Sequence, residues 1–78
     1  MNTEIYKQFK TNLDILLFCD NMSMADRFHK ECRDLIIEMH YNIREQTKEA
    51  DKLIIDNAEK RLNRVYNLIK NYNENTNI

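Results

Sequence analysis

The chain contains no glycine and no proline in 78 residues. Without glycine there is no loop whose backbone can close around a phosphate, so nucleotide sites of the Walker and Rossmann kinds are excluded. Without either residue nothing from Ser23 onward obliges a helix to stop. Long hydrophobic runs are also missing. The longest, Ile15-Leu16-Leu17-Phe18-Cys19, is far below the roughly 20 residues that span a bilayer, and Asp14 interrupts the one stretch that resembles the apolar part of a signal peptide. Neither sign of charge dominates: twelve basic and thirteen acidic side chains are well mixed and sum to -1. A general nucleic-acid binder usually carries a basic half, and this chain has none. Cysteine is sparse. Cys19 and Cys32 read as buried thiols of a cytoplasmic protein rather than a disulfide.

Helix-forming residues fill the space those absences leave. The expectation is an all-α fold: a small antiparallel helical bundle, built as a helical hairpin plus an N-terminal helix, in one domain spanning 1–78. A chain of this length buries roughly 60–65% of its unfolded surface. Apolar burial at about 25 cal/mol per Å² then barely offsets conformational entropy. With 42% apolar residues available, self-association into a homodimer is the expected remedy. Eleven asparagines, four of them among the last eight residues, suggest the AT-rich coding of low-GC bacteria, their phages and other mobile elements, and so a role in host interaction.

The first helix is expected over about 4–18. Thr3 or Asn2 would cap it, and Ile5/Tyr6, Phe9, Leu13 and Leu16/Leu17 form its apolar stripe. Asp20-Asn21 make the turn, and Ser23-Met24-Ala25-Asp26 reads as a capping box opening a second helix. Beyond it a stripe runs Phe28, Cys32, Ile36, Met39, Ile43, Thr47, Ala50, Ile54, Ala58, Arg61/Leu62, Val65, Ile69, Tyr72 at close to 3.67 residues per turn. It weakens at a polar waist, Arg44 to Glu49. One continuous rod and a break near 44–48 both fit; the pattern favours the break, because folding back lets the two apolar halves face each other. That gives helices over about 24–46 and 48–72, with Thr47 as the cap of the last, and a disordered tail over 73–78. The last helix also carries a coiled-coil-like seam, Ile55, Ala58, Leu62, Val65, Ile69, Tyr72. The expected core is Phe9, Leu13, Leu16, Phe28, Cys32, Leu35, Ile36, Met39, Ile54, Ala58, Leu62, Val65 and Ile69.

Chemistry-bearing residues are few. His29 and Cys32 share a helix face, but His40 lies more than 10 Å further along and the set matches no zinc spacing. These read as histidines at the solvent edge beside a core thiol, with no metal and no cofactor. A metal- or haem-handling helical protein is the third and least favoured function. Glu-x-x-His, the signature of di-iron bundles, does not occur. The carboxylate neighbours Asp34/Glu38 and Glu45/Glu49 sit among Arg27, Lys30 and Arg33 as a salt-bridged face rather than an acid–base pair. No catalytic residue is assigned.

The function expected is therefore a non-enzymatic regulator or inhibitor acting through helix-mediated protein contacts. Tyr41, Leu53, Tyr66 and Leu68, off the main stripe, are its candidate contact residues. The alternative is a DNA-binding or DNA-mimicking regulator using Lys60, Arg64, Asn63 and Asn67. The partners implied are a second copy of the chain and an unidentified protein, with nucleic acid second and no membrane.

Overall fold

The computed structural model describes residues 3–76, with side chains through Glu74. It is an all-α bundle of three helices: α1 (Thr3–Leu17), α2 (Met22–Tyr41) and α3 (Lys48–Thr76), with a single 3₁₀ turn, Glu45–Thr47, before the last. Helix α2 packs against both others, whereas α1 and α3 touch least. The 29 residues of α3, about 43 Å at 1.5 Å per residue, set the long axis of a body measuring 51 × 17 × 14 Å.

Each helix forms because its apolar residues fall on one side. On α1 these are Ile5, Phe9, Leu13 and Leu16; on α2, Ala25, Cys32, Leu35, Ile36 and Met39; on α3, Ile55, Ala58, Leu62 and Val65, all buried in one cluster. Phe9, Leu16, Met39, Ile55 and Leu62 are the large side chains sealed at its centre. Phe28 and Ile69, expected in the core, are only partly buried against it. Ile54 is not in the core: it is 37% exposed, while Ile55 is fully buried. Of the two stripes legible on this helix, the heptad seam is the one that faces inward from Ile55 to Val65, continued at its start by a buried Asp51; its expected last member, Tyr72, is 69% exposed.

The turns correct the expected caps. Asn21, in extended backbone, precedes α2, and its side-chain oxygen accepts the Met24 amide at 2.9 Å. Ser23 is already inside the helix. Both residue types cap well, and the choice of Asn21 lets Met22 join the helix and pack on the core. Helix α2 stops at Tyr41, short of the expected 46. Asn42 closes it, its backbone amide donating to Met39 O at 3.0 Å and its side chain to Glu38 O at 2.8 Å. The break thus opens at the start of the polar waist, with Ile43 and Arg44 outside any helix. Thr47 does not cap in the expected sense. Its hydroxyl donates to Asp51 at 2.8 Å, and the same carboxylate accepts the Arg44 amide at 3.4 Å. At the far end α3 continues to Thr76 rather than ending at Tyr72, with the Asn73 side chain donating to Ile69 O at 2.8 Å. Of the tail expected over 73–78, positions 77 and 78 lie outside the described residues, as does Asn2.

Candidate protein-contact surface

Every surface of α3 is defined by its seam. Asp51, Ile55, Ala58, Leu62 and Val65 point inward, so residues about 60° to either side form two flanks. One flank lies along α2 and the other along the thin contact with α1.

The α2 flank is crowded with polar contacts. His40 Nε2 and Glu59 Oε1 meet at 3.1 Å. The rings of His29 and Tyr66 stack with centroids 4.0 Å apart and planes at 23°, and the Tyr66 hydroxyl donates to Asp26 at 2.6 Å. Burial holds the His29 pKa below its ordinary value; Arg33 adds to this and Asp26 opposes it. The bond to Asp26 is the first reason the Tyr66 pKa is raised, followed by burial and the Asp26 charge. Between His29–Tyr66 and His40–Glu59 lies an open cleft of about 530 Å³, floored by Ile36 and Leu62 and edged by Arg33 and Asn63.

The other flank is apolar and open. Ala50, Ile54, Asn57, Arg61, Leu68 and Tyr72 recur along it at helical spacing, all exposed. Leu68 is 61% exposed and Tyr72 69%. Ile54 and Asp51 border a small hollow with Thr3 and Tyr6 of α1. Its apolar side chains fall in two groups, Ala50 with Ile54 and Leu68 with Tyr72, separated by the polar Asn57 and Arg61.

The four expected contact residues separate on this frame. Leu68 belongs to the open flank. Leu53, 62% exposed, sits on the outer side of α3, and Tyr41, 86% exposed, ends α2 beside the turn. Tyr66 is half-buried and committed to His29 and Asp26. The basic set also divides: Lys60, Arg64 and Asn67 are exposed on the outward face, while Asn63 edges the cleft.

Among the described residues no three or more His, Cys, Asp or Glu side chains gather as metal ligands. Cys32 faces inward instead, its sulfur 4.0 Å from the Phe9 carbonyl, and its pKa is pushed up to about 11 by burial first and Glu31 second. Cys19 is only partly buried, and burial followed by Asp20 raises its thiol too. Both are therefore thiols rather than thiolates at neutral pH. No described helix is long and apolar enough to cross a membrane.

Two features escaped the reading of the sequence. Asp51 carried a signal, since it extends the seam by four residues before Ile55. The Asp26–Tyr66 bond joins residues forty positions apart, and nothing local announces it. No protein-family model, no curated protein and no solved structure matches the chain.

Proposed function

We propose that this chain is a small non-enzymatic regulator that works by presenting the open flank of α3 to another protein. The observation that carries the reading is the exposure of Ile54 and Leu68 along the edge of α3 away from α2. An amphipathic helix edge of this kind is recognised through apolar anchors three, four or seven residues apart. Replacing Ile54 and Leu68 by Asp tests it. In capture from extracts of the source cell, a stoichiometric protein partner is retained by the unaltered chain and lost by the double variant, while a Lys60→Ala, Arg64→Ala variant keeps it. Equal retention by all three chains defeats the assignment of this flank.

A second reading is supported by the outward placement of Lys60, Arg64 and Asn67: contact with duplex DNA. It requires salt-dependent binding whose log–log slope falls by about 2 when both basic residues are neutralised. A slope unaltered by those substitutions removes it.

A further inference from the structure

The flank of α3 that meets α2 is closed at two points and open between them. His29 stacks on Tyr66 at one end, and His40 meets Glu59 at the other. The two histidines stand eleven residues apart on α2, roughly 16 Å at 1.5 Å per residue. Once contact distances are taken off, about 10 Å of cleft remains between the pairs. A chain segment running along the groove would have to cross both pairs, whereas a small molecule fits between them. The cleft volume of about 530 Å³ falls in the ~300–1,000 Å³ range of small-molecule sites.

The walls of the cleft differ in character. Its floor is the buried pair Ile36 and Leu62, and Ile37, 52% exposed, extends the apolar surface to the rim. Arg33 stands one turn before Ile37 on the same side of α2. It forms no ion pair with a described residue, and the acids Glu31, Asp34 and Glu38 project about 100° or more around the helix from it. Burial first and the Arg33 charge second lower the His29 pKa, which puts the guanidinium near that end. Asn63 edges the cleft from the facing helix. At the far end the one carboxylate of the lining, Glu59, is already met by His40. One uncompensated cation thus overlooks an apolar floor of limited length.

From this arrangement we infer that the cleft binds a small organic monoanion, a carboxylate carried on a flat or branched apolar body. The Arg33 guanidinium grips the carboxylate through two parallel N–H···O bonds. The Asn63 amide donates from the other wall, and the body rests on Ile36, Ile37 and Leu62. Glu59 sets the charge of the ligand, because a second negative group reaching the far end would meet a like charge. The cleft is open on its outer side, so the complex is weak, with a Kd on the order of 1 mM. This site is separate from the edge of α3 that faces away from α2, and neither depends on the other.

NMR titration of the isotope-labelled chain with phenylacetate tests the site. Saturable shifts are expected at Arg33, Ile37 and Asn63. Phenylacetamide keeps the ring and lacks the charge, and acetate keeps the charge and lacks the ring; each binds roughly tenfold more weakly or worse. Inorganic phosphate gives no saturation at the cleft. Arg33 is exposed, so Arg33→Gln keeps the helical circular-dichroism signal while weakening phenylacetate about tenfold or more. Lys30→Gln removes an exposed charge outside the cleft lining and changes binding less than about twofold. Ile37→Asp places an acid on the rim and abolishes binding, which keeps the site testable if the Arg33 variant folds poorly. Equal affinity for phenylacetate and phenylacetamide, equal losses in Arg33→Gln and Lys30→Gln, or no saturation by about 20 mM overturns the assignment.

Discussion

The two flanks of α3 differ in one respect that explains most of the surface. Against α2, three polar groups meet partners from the other helix: His40 meets Glu59, and Tyr66 meets Asp26 and the His29 ring. On the opposite side the helix exposes Ile54 and Leu68. One helix with one seam thus has a flank that is finished within the chain and a flank that is not. The polar flank contributes specificity more than stability, since exposed pairs are individually worth about 1 kcal/mol or less. The apolar flank contributes little to either while it remains uncovered.

The sharpest way to break this comparison uses two adjacent isoleucines. Ile55→Ala opens a cavity in the centre of the core and is expected to cost about 3 kcal/mol in urea unfolding. For a small domain whose total stability is on the order of 5 kcal/mol, that leaves about 2 kcal/mol and raises the unfolded fraction about a hundredfold, to a few per cent. Ile54→Ala is expected to cost less than about 1 kcal/mol. Equal costs would mean that the seam is not the inward face.

On the finished flank, Tyr66→Phe keeps the stacked ring and deletes the hydroxyl. It is expected to lose about 1 kcal/mol, and a double-mutant cycle with Asp26→Asn is expected to recover most of that as coupling. The same flank titrates. The His29 pKa is lowered in the folded chain, so the unfolded chain takes up a proton first as pH falls. The contribution from neutral His29 is complete above the ordinary value of 6.5 and is lost as pH drops through the lowered folded value. Asp26, Arg33 and the Tyr66 ring are the groups that surround it. His29→Phe preserves a ring against Tyr66 and is expected to flatten the fall in stability below pH 6.5, measured by urea midpoints. An unchanged slope would assign that dependence elsewhere.

The smallest effect belongs to the unfinished flank. Leu68→Asp is expected to change folding stability by no more than about 0.5 kcal/mol, below any of the substitutions above. A large loss would show that Leu68 is already covered within the chain.

Much of this was legible in the residues, and the exceptions share a cause. The helical elements follow from periodicity, whereas the break near the polar waist was favoured over a continuous rod because folding back lets the two apolar halves face each other. Most of the buried set was also recoverable, because Phe9, Leu13, Leu16, Cys32, Met39 and Leu62 occupy one side of their helices under any reasonable register. Ile54 and Ile55 were not separable, because each continues a sound stripe through Ala58. The choice depends on which side α2 covers, and that is a tertiary fact. Asn21 and Ser23 were likewise equivalent as caps; the packing of Met22 decides between them. The extension of α3 through its asparagines ran against propensity, and the Asn73–Ile69 bond is part of what holds it. The candidate surface was half readable. Leu68 stood out as apolar and off the seam, whereas Tyr66 looked equally free until the fold brought Asp26 and His29 to it.

A chain without glycine must write its punctuation in side chains. No described residue has a positive φ, so the turns are secured by bonds rather than by backbone shape, and the two are secured differently. The first is held by the Asn21 amide, which does not titrate. The second is held by the Asp51 carboxylate, whose pKa is lowered chiefly by the Thr47 hydroxyl and also by the Arg44 amide, against the opposing effect of burial. Its contribution persists above 3.8 and disappears as acid protonates the group. The α2–α3 flank is the one that carries His29 as well. Falling pH therefore loosens the second turn through Asp51 and the adjoining flank through His29, whereas the bond from the Met24 amide to the Asn21 side chain is indifferent to it.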